Sequence, residues 1–492
     1  MRLRLLSRAS DLARLQAHTV ARAIESSWPG VQIVFLSRSA KGDRDVTKPL
    51  SSLPDKGAFT ADLSHALATD DADIVVHSWK DLPLESAPGT MVAATLERAD
   101  PRDVLLVRED VAAARPHSLR ILSSSPRRAW LVERTARELL PWPVGAVEIV
   151  PVRGNVPTRL AHLLAGRGDA LVVAKAALDR LLEDRPSFGA VRARVRSAID
   201  ACRWMVLPLR DVPGAPAQGA LAIEAAASNE SLIKRLRELS HAPTWDAVSR
   251  ERAFLESHGG GCHAAIAATA LPREYGTVFS AKAQTAKGTD EQWSLDVSGR
   301  ACTPADANIW PRPDERERQV RRELVVAPPP AERGLWVSRS EALPTGWFLQ
   351  PDRIVWTAGG RTWRKLATRG VWVHGCADGL GDSEAPNIDA LAGRTIAWTR
   401  LTHVDAVRDP AEELGTYSVE SSWPSDLADR THLFWSSGTE FQRALAAFPS
   451  LRERVHASGP GRTARAIGDE VGAAGRASVW IDYDEWLRGQ AR

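Results

Sequence analysis

An alternation of strand and helix patterns over the first hundred residues is the feature that most constrains the fold. Apolar runs typical of strands are separated there by apolar residues at helical spacing. The patterns lie at 3–6 (strand), 11–25 (helix), 31–36 (strand), 59–67 (helix) and 73–76 (strand). Because parallel strands need long crossover connections, which are usually helices, this βαβα order predicts a mostly parallel sheet.

The same alternation continues over residues 100–237. Strands are predicted at 103–107, 121–122, 148–151, 170–173 and 220–224. Helices are predicted at 127–140 and 156–164, and a further helix accompanies the strand 220–224 within residues 206–237. Residues 241–325 favour a smaller α+β unit that opens with a helix at 245–256. A proline run at 327–330 is typical of a stiff linker. Strand patterns then recur at 335–338, 354–357, 395–399 and 433–436 and predict a separate C-terminal domain.

Composition excludes several classes of protein. The net charge of +3 over 492 residues is too small to indicate nucleic-acid binding by itself. No apolar run approaches the roughly 18 residues of a membrane span, and residues 1–16 lack the continuous apolar segment of a secretory signal. The four cysteines form no CxxC pair. We therefore expect a cytoplasmic protein with reduced thiols, no metal site, and no nucleic-acid or membrane partner.

The segment 74–83 contains the first candidate site. An apolar strand ends there in His77, Ser78, Lys80 and Asp81 before Pro83. Ligands of open α/β sheets bind beyond the carboxyl ends of strands, where a carboxylate beside a cation can act as an acid or a charge stabiliser. The alternative is an ordinary polar loop after a strand.

A second candidate is Cys262, which follows three glycines and precedes a histidine in the segment 259–263. A cysteine in so open a loop can be an exposed nucleophile or an attachment point. The alternative is a small buried apolar residue, as most lone cysteines are.

Arginines in loops form a third candidate set. Several follow predicted strands and precede helices, where helix N-termini also attract anions. They are Arg8, Arg98, Arg127, Arg128, Arg153 and Arg159. Together they indicate a cleft for a ligand with several carboxylates or phosphates, since arginine pairs with such groups in a bidentate way. The alternative is that many are solvated surface charges.

In order, these segments resemble the porphobilinogen deaminase, or hydroxymethylbilane synthase, family over residues 1–325. The matching stretches are Ser7-Arg8-Ala9-Ser10, Lys56-Gly57-Ala58-Phe59, His77-Ser78-Trp79-Lys80-Asp81-Leu82-Pro83, Glu97-Arg98 through Asp103, Ser123-Ser124-Ser125-Pro126-Arg127-Arg128, Arg153-Gly154-Asn155-Val156-Pro157-Thr158-Arg159, Gln218-Gly219-Ala220 and Gly260-Gly261-Cys262. The resemblance implies an enzyme that joins four porphobilinogen molecules into linear hydroxymethylbilane, releasing ammonia at each step. It also implies a dipyrromethane cofactor, held by a thioether to Cys262.

The resemblance assigns roles to individual residues. Asp81 and Lys80 are expected to be catalytic, with Asp81 stabilising positive charge on the pyrrole nitrogens. Cofactor binding is expected from Cys262, Lys56, Ser78, Asp81, Ser124, Ser125, Arg127 and Arg128. Substrate binding is expected from Arg8, Ser10, Phe59, Arg98, Arg153, Asn155, Arg159 and Gln218. Departures from the family pattern at Ser52, Asp55, Trp79, Ala215, Pro216 and Lys175 leave Asp81 and Cys262 in place.

The C-terminal region resembles uroporphyrinogen-III synthase, but less specifically. The resemblance rests on Thr431-His432-Leu433-Phe434-Trp435-Ser436-Ser437-Gly438-Thr439 and on Ala457-Ser458-Gly459-Pro460-Gly461-Arg462-Thr463-Ala464 with Gly472. It implies cyclisation of the linear product, which the first enzyme hands over. The region looks short for the usual two-domain form, so a reduced enzyme or an inactive relic is the alternative.

The predicted fold is thus α/β, with two doubly wound, periplasmic-binding-protein-like domains around a cleft. A small α+β third domain and an additional C-terminal α/β domain complete it. The predicted boundaries are 1–99 plus 214–238 (domain 1), 100–213 (domain 2), 239–326 (cofactor-attachment domain 3), 327–333 (linker) and 334–492 (C-terminal domain). A non-catalytic solute-binding or ligand-sensing protein would suit the same two domains, but it would leave Asp81 and Cys262 without a role.

Overall fold

The computed structural model describes most of the chain. The described residues are 1–39, 61–260, 265–285, 288–297, 304, 307–315, 320–420, 422–472 and 476–489. Three of the predicted site residues, Lys56, Phe59 and Cys262, lie outside them, as do Ser52 and Asp55.

Two five-stranded sheets contain the first ten strands of the described chain. Strands β1 to β10 are Arg2–Arg8, Gln32–Arg38, Ile74–Ser78, Thr90–Ala94, Asp103–Arg108, Ser118–Leu122, Ala146–Val150, Ala170–Ala174, Cys202–Val206 and Leu221–Ala226. Their orders are β2-β1-β3-β10-β4 and β7-β6-β8-β5-β9. Only β10 and β5 run antiparallel to their neighbours. The predicted α/β class with mostly parallel sheets is confirmed.

Helices pack on both sheets. Helices α1 to α8 are Asp11–Ser27, Ala61–Ala68, Glu109–Ala114, Pro126–Leu139, Val156–Leu164, Lys175–Leu182, Gly189–Asp200 and Glu230–Leu239. In α1, Val20 and Ile24 are buried in one cluster with Leu5 of β1, and burial of each such side chain contributes about 1.5–3 kcal/mol. Strands β4 and β9 and helices α3, α6 and α7 were not predicted. No helix within the described ranges has the length and hydropathy of a membrane span.

The chain crosses between the two sheets twice. The first crossover, 95–102, leads from β4 to β5, and the second crossover, 207–220, returns from β9 to β10. They lie in close contact: Gly219 has φ +90°, and a Cβ added there would lie 2.3 Å from the Ala99 carbonyl oxygen. Only glycine fits this position, because any side chain would push the crossovers apart.

A third, smaller element group follows. Helix α9 (Ala242–Ser257) precedes a three-stranded sheet of β11 (Ile266–Arg273), β12 (Gly276–Thr285) and β13 (Gly288–Asp296). Phe254 of α9 packs against Ile266 and Phe279 of this sheet. The helix predicted at 245–256 is therefore present, and it is longer at its N-terminus.

The rest of the described chain forms two further sheets. Strands β14 to β23 are Ile309–Trp310, Val320–Glu323, Gly334–Val337, Val355–Thr357, Gly375–Cys376, Trp398–His403, Glu413–Glu420, His432–Trp435, Val455–Ser458 and Ala477–Val479. Helices α10 to α14 are Gly360–Thr368, Asp389–Ala392, Gly438–Ala447, Arg462–Val471 and Tyr483–Arg488. The orders are β15-β20-β19-β16-β17-β18 and β14-β21-β22-β23.

These C-terminal sheets begin before the predicted linker. Strand β14 pairs with β21 and β15 pairs with β20, so residues 309–323 add one strand to each sheet. The predicted division at residue 326 therefore does not coincide with the division between sheets. These strands are short and their partners lie far along the chain. The local sequence therefore gives little indication that they are strands.

Candidate active site

The sequence-predicted residues of the first two sheets lie at the carboxyl ends of parallel strands. Arg8 ends β1 and Ser78 ends β3, which are neighbours in the first sheet. In the second sheet, Ser123 follows β6 and the segment 151–155 follows β7. This is the edge at which open α/β sheets bind ligands.

A short 3₁₀ turn, Trp79–Asp81, projects two charged residues beyond β3. Trp79 is buried and packs against Trp245, with ring centroids 5.1 Å apart, whereas the Asp81 side chain is exposed. Below the turn, the buried ring of His77 lies 2.8 Å (Nε2 to Oε2) from the Glu224 carboxylate. The turn is thus fixed by buried contacts on its inner side while its carboxylate faces outward.

The Lys80 ammonium lies in an unusual electrostatic setting. Its Nζ donates to Gln218 Oε1 at 3.1 Å. Burial, followed by the charge of Arg128, lowers the pKa of Lys80 from 10.5 to about 8, although Asp81 and Asp103 act in the opposite direction. The effect of burial on the Lys80 ammonium therefore outweighs that of the two nearby carboxylates.

Asp103 organises the neighbouring arginines. It accepts from Arg127 Nη2 and from Arg128 Nη2, both at 2.8 Å, and it is completely buried. Burial alone would raise the pKa of Asp103, but the two guanidinium charges lower it far below its ordinary value. Such a pair is costly to break, because removing either partner leaves an uncompensated buried charge.

Arg159 belongs to the same charged group. Its Nε donates to the Gly154 carbonyl oxygen at 2.8 Å, in the loop before α5. Burial, followed by the charges of Arg128 and Arg153, lowers its pKa to about 10, while Asp81 acts in the opposite direction. The loop is ordered by Asn155, which caps α5 by accepting from the Thr158 amide.

Positive charge therefore exceeds negative charge in this group of described residues. The cations that interact are Lys80, Arg127, Arg128, Arg153 and Arg159, and the carboxylates are Asp81 and Asp103. Among these named groups the cations outnumber the carboxylates, so positive charge is in excess. A ligand with several carboxylates would offset this excess, so the residues present fit an anionic group such as a dipyrromethane with its acid side chains.

Other predicted residues are engaged mainly in local structure. Ser10 caps α1 and Ser125 accepts from the Arg128 amide. Ser124 Oγ exchanges hydrogen bonds with the backbone of Val152, and Ser78 Oγ accepts from Gln16 Nε2 at 2.8 Å. The described hydrogen bonds of these four serines therefore serve to order the ends of strands and helices.

The contacts of Arg98 and Gln218 differ from those expected of residues that face a substrate. The guanidinium of Arg98 is paired with the fully buried Glu251, with Nη2 3.0 Å from Oε2. Gln218 is itself fully buried. Arg98 thus has a protein carboxylate where a substrate carboxylate was predicted, and these contacts give no support to direct substrate binding by either residue.

Sequence reasoning gave no roles to three residues that shape the site: Asp103, Glu251 and Gln16. Asp103 ends the matching stretch that begins at Glu97. An aspartate close in sequence to several arginines could have indicated an ion-paired residue. Glu251 also accepts from the Ala217 amide at 2.6 Å. Because Glu251 lies within a predicted helix, the sequence did not indicate that its side chain is buried.

Comparisons with known proteins identify a family model and relatives that this chain matches. Residues 3–234 match the family model described as porphobilinogen deaminase, dipyromethane cofactor binding domain. The porphobilinogen deaminase of Sphingopyxis alaskensis is 38% identical over 275 residues, covering 54% of this chain and 79% of that protein. The porphobilinogen deaminase of Roseiflexus sp. strain RS-1 is 32% identical over 308 residues, covering 61% of this chain and 93% of that protein.

A solved structure, the periplasmic aliphatic sulphonate binding protein of Escherichia coli, is 15% identical. The structural match covers 52% of this chain and 70% of the sulphonate binding protein. Its TM-score of 0.26 is too low to support an argument. The sequence matches define an α/β transferase with a dipyrromethane cofactor and a small pyrrole substrate. The chain belongs to the porphobilinogen deaminase family.

Proposed function

We propose that this protein condenses four porphobilinogen molecules, with loss of one ammonia from each, into linear hydroxymethylbilane. The observation that carries the proposal is the excess of positive charge at the ligand edge of the sheets, where the charge of Arg128 acts on both Lys80 and Arg159. Each added pyrrole brings two carboxylates, and guanidinium groups fixed in advance can bind them without rearranging.

The proposed roles follow from position. Asp81 is an exposed carboxylate whose charge acts on Lys80 and Arg159, and it stabilises positive charge that develops on a pyrrole and moves the proton. Lys80, Arg153 and Arg159 orient acid side chains, while Arg127 and Arg128 are anchored by Asp103. Cys262 carries the cofactor by a thioether. When bound, the cofactor supplies the primer for chain growth.

The direct test is incubation of the purified protein with porphobilinogen. We expect one ammonia per porphobilinogen consumed, together with a tetrapyrrole product. A non-catalytic solute-binding protein would bind porphobilinogen and release no ammonia, and that result would favour the alternative function.

Cofactor carboxylates should change the titration of Lys80. In Cys262→Ala protein we expect an apparent pKa near 8, the value set by burial and Arg128. In the holoprotein, added carboxylates favour the ammonium form, so the pKa should be higher. The rate of Lys80 acetylation by acetic anhydride as a function of pH, followed by peptide mass, measures both values. Identical titrations in the two proteins would argue against cofactor binding at Lys80.

For the C-terminal sheets we propose cyclisation of the linear product to uroporphyrinogen III. Both motif segments line one cleft: Ser437 and Thr439 come from the first and Arg462 from the second. Residues of the six-stranded sheet line the same cleft. Its arginines are Arg321, Arg339, Arg400, Arg408, Arg443 and Arg462. The carboxylates Asp382, Asp405 and Glu440 line the cleft too; Asp382 pairs with Arg400 and Arg462, and Asp405 pairs with Arg443. Arginines still outnumber carboxylates in this lining, which suits a ligand with many carboxylates, and the consecutive chemistry motivates a hand-over from the first site.

Arg400 offers a test of this cleft. It lies 4.9 Å from the Trp336 ring centroid, and burial, followed by the charge of Arg462, lowers its pKa. In the full chain, Arg400→Ala should lower the fraction of type III isomer about tenfold or more, without changing ammonia release. Product isomers separated chromatographically give the ratio.

The matched control is Arg364→Ala, which removes an arginine of α10 that is paired with Glu138 and does not line the cleft. It should leave the isomer ratio unchanged. If wild-type protein produces only the type I isomer, the C-terminal proposal is wrong while the deaminase proposal stands.

A further inference from the structure

Gln218 occupies a special position in the second crossover. Its neighbours Ala217 and Gly219 both have positive φ, +65° and +90°, so the backbone turns sharply on either side of it. The turn directs its side chain into the interior, where it is fully buried against the first crossover. A buried amide needs partners for all its polar atoms.

All of these partners are present. Nε2 donates to the Pro101 carbonyl oxygen at 2.7 Å and to Asp103 Oδ1 at 2.9 Å. Because both of these atoms accept only, the amide nitrogen must face them and Oε1 is left to face Lys80. Oε1 accepts from Lys80 Nζ at 3.1 Å.

We infer that Gln218 is a positioning residue, which fixes the Lys80 ammonium relative to the Asp103–Arg127–Arg128 ion pairs. The inference rests on the proposed deaminase function and replaces the substrate contact predicted from the sequence. Both amide hydrogens are used within the protein, and the side chain has no exposed surface. Any effect of Gln218 on the reaction must therefore pass through the charged groups that its side chain contacts, Lys80 and Asp103.

A neutral amide suits this position for an electrostatic reason. A carboxylate there would stand beside Asp103 and add negative charge next to Lys80. An apolar side chain would leave the Pro101 carbonyl and the ammonium each without a partner. The charged groups that act on Lys80 are Asp81, Asp103, Arg127 and Arg128. Glutamine couples Lys80 to them without changing their net charge.

The test compares Gln218→Glu and Gln218→Met in the full-length holoprotein. The probe is acetic anhydride, and the readout is the pH midpoint of Lys80 acetylation, followed by peptide mass. We expect the midpoint to rise by about one pH unit in the glutamate variant, and to fall by a similar amount in the methionine variant, because the two changes have opposite electrostatic effects on an ammonium. A role that is only structural would not move the midpoint in opposite directions.

Thr269→Val is the matched control. Thr269 is fully buried and accepts from the Gly214 amide of the second crossover at 2.9 Å, so the variant loses one buried hydrogen bond in the same region. It should lower the thermal midpoint and leave the Lys80 titration unchanged. Equal shifts in Thr269→Val and Gln218→Met would overturn the inference.

Two further outcomes remain decisive. If circular dichroism shows that the glutamate variant is unfolded, Gln218→Met decides alone, and a wild-type midpoint in that variant overturns the inference. Acetylation requires no turnover. A wild-type protein that releases no ammonia therefore refutes the proposed function, while the opposite shifts of Lys80 still report the positioning role.

Discussion

Asp81→Ala should lower the turnover of porphobilinogen by about 10²–10⁴-fold while the protein stays folded. The carboxylate is exposed at the end of β3, and it is the negative group that acts on both Lys80 and Arg159. Its loss removes the group proposed to stabilise developing positive charge and to move the proton. Because an exposed side chain contributes little to stability, the fold should not change.

Ammonia release measured under saturating porphobilinogen gives the rate, and the thermal midpoint reports the fold. The control is Glu85→Ala, an exposed carboxylate four residues further along. It should retain near-normal turnover. If Asp81→Ala also retains it, Asp81 has no part in the mechanism and another acid must be sought.

Cys262→Ala should abolish turnover, since it removes the proposed attachment of the cofactor. Intact mass should show that wild-type protein from a porphyrin-producing host carries an excess of two linked pyrrole units. Peptide mapping should place it on Cys262, and the variant should lack it. A pyrrole adduct on the variant would contradict the assignment of the attachment site.

Cys202→Ala is the control for this experiment. Cys202 is buried in the second sheet, and burial raises its pKa to about 12, so it stays an unreactive thiol at neutral pH. The Cys202→Ala protein should keep the full mass excess. The pair of variants separates loss of the attachment site from loss of any cysteine.

The ends of β1, β3, β6 and β7 were predictable because hydrophobic runs that stop at polar loops leave a local signal. The order of those loops then indicated the family. The α/β class was predictable from the alternation of strands and helices, because the hydrophobic period and the length of each element can be read from a short segment of sequence. The departure from the family pattern at Trp79 is explained only by the structure, through its buried contact with the distant Trp245.

The partners of the charged residues could not be predicted in the same way. The ion pairs of Asp103 with Arg127 and Arg128 join residues more than twenty positions apart, and that of Arg98 with Glu251 joins residues 153 apart. Side-chain burial at such distances depends on how complete elements pack. The same reason explains why strands β14 and β15 were missed.

The place of β10 in the first sheet has a consequence for the order of events during synthesis. This strand lies between β3 and β4, yet it is made after all five strands of the second sheet. When residue 206 has left the ribosome, the second sheet has all its strands, while β3 and β4 still have no partner between them. The inserted half can therefore fold first, and the N-terminal half must wait with two exposed strand edges, a period in which a chaperone would protect it.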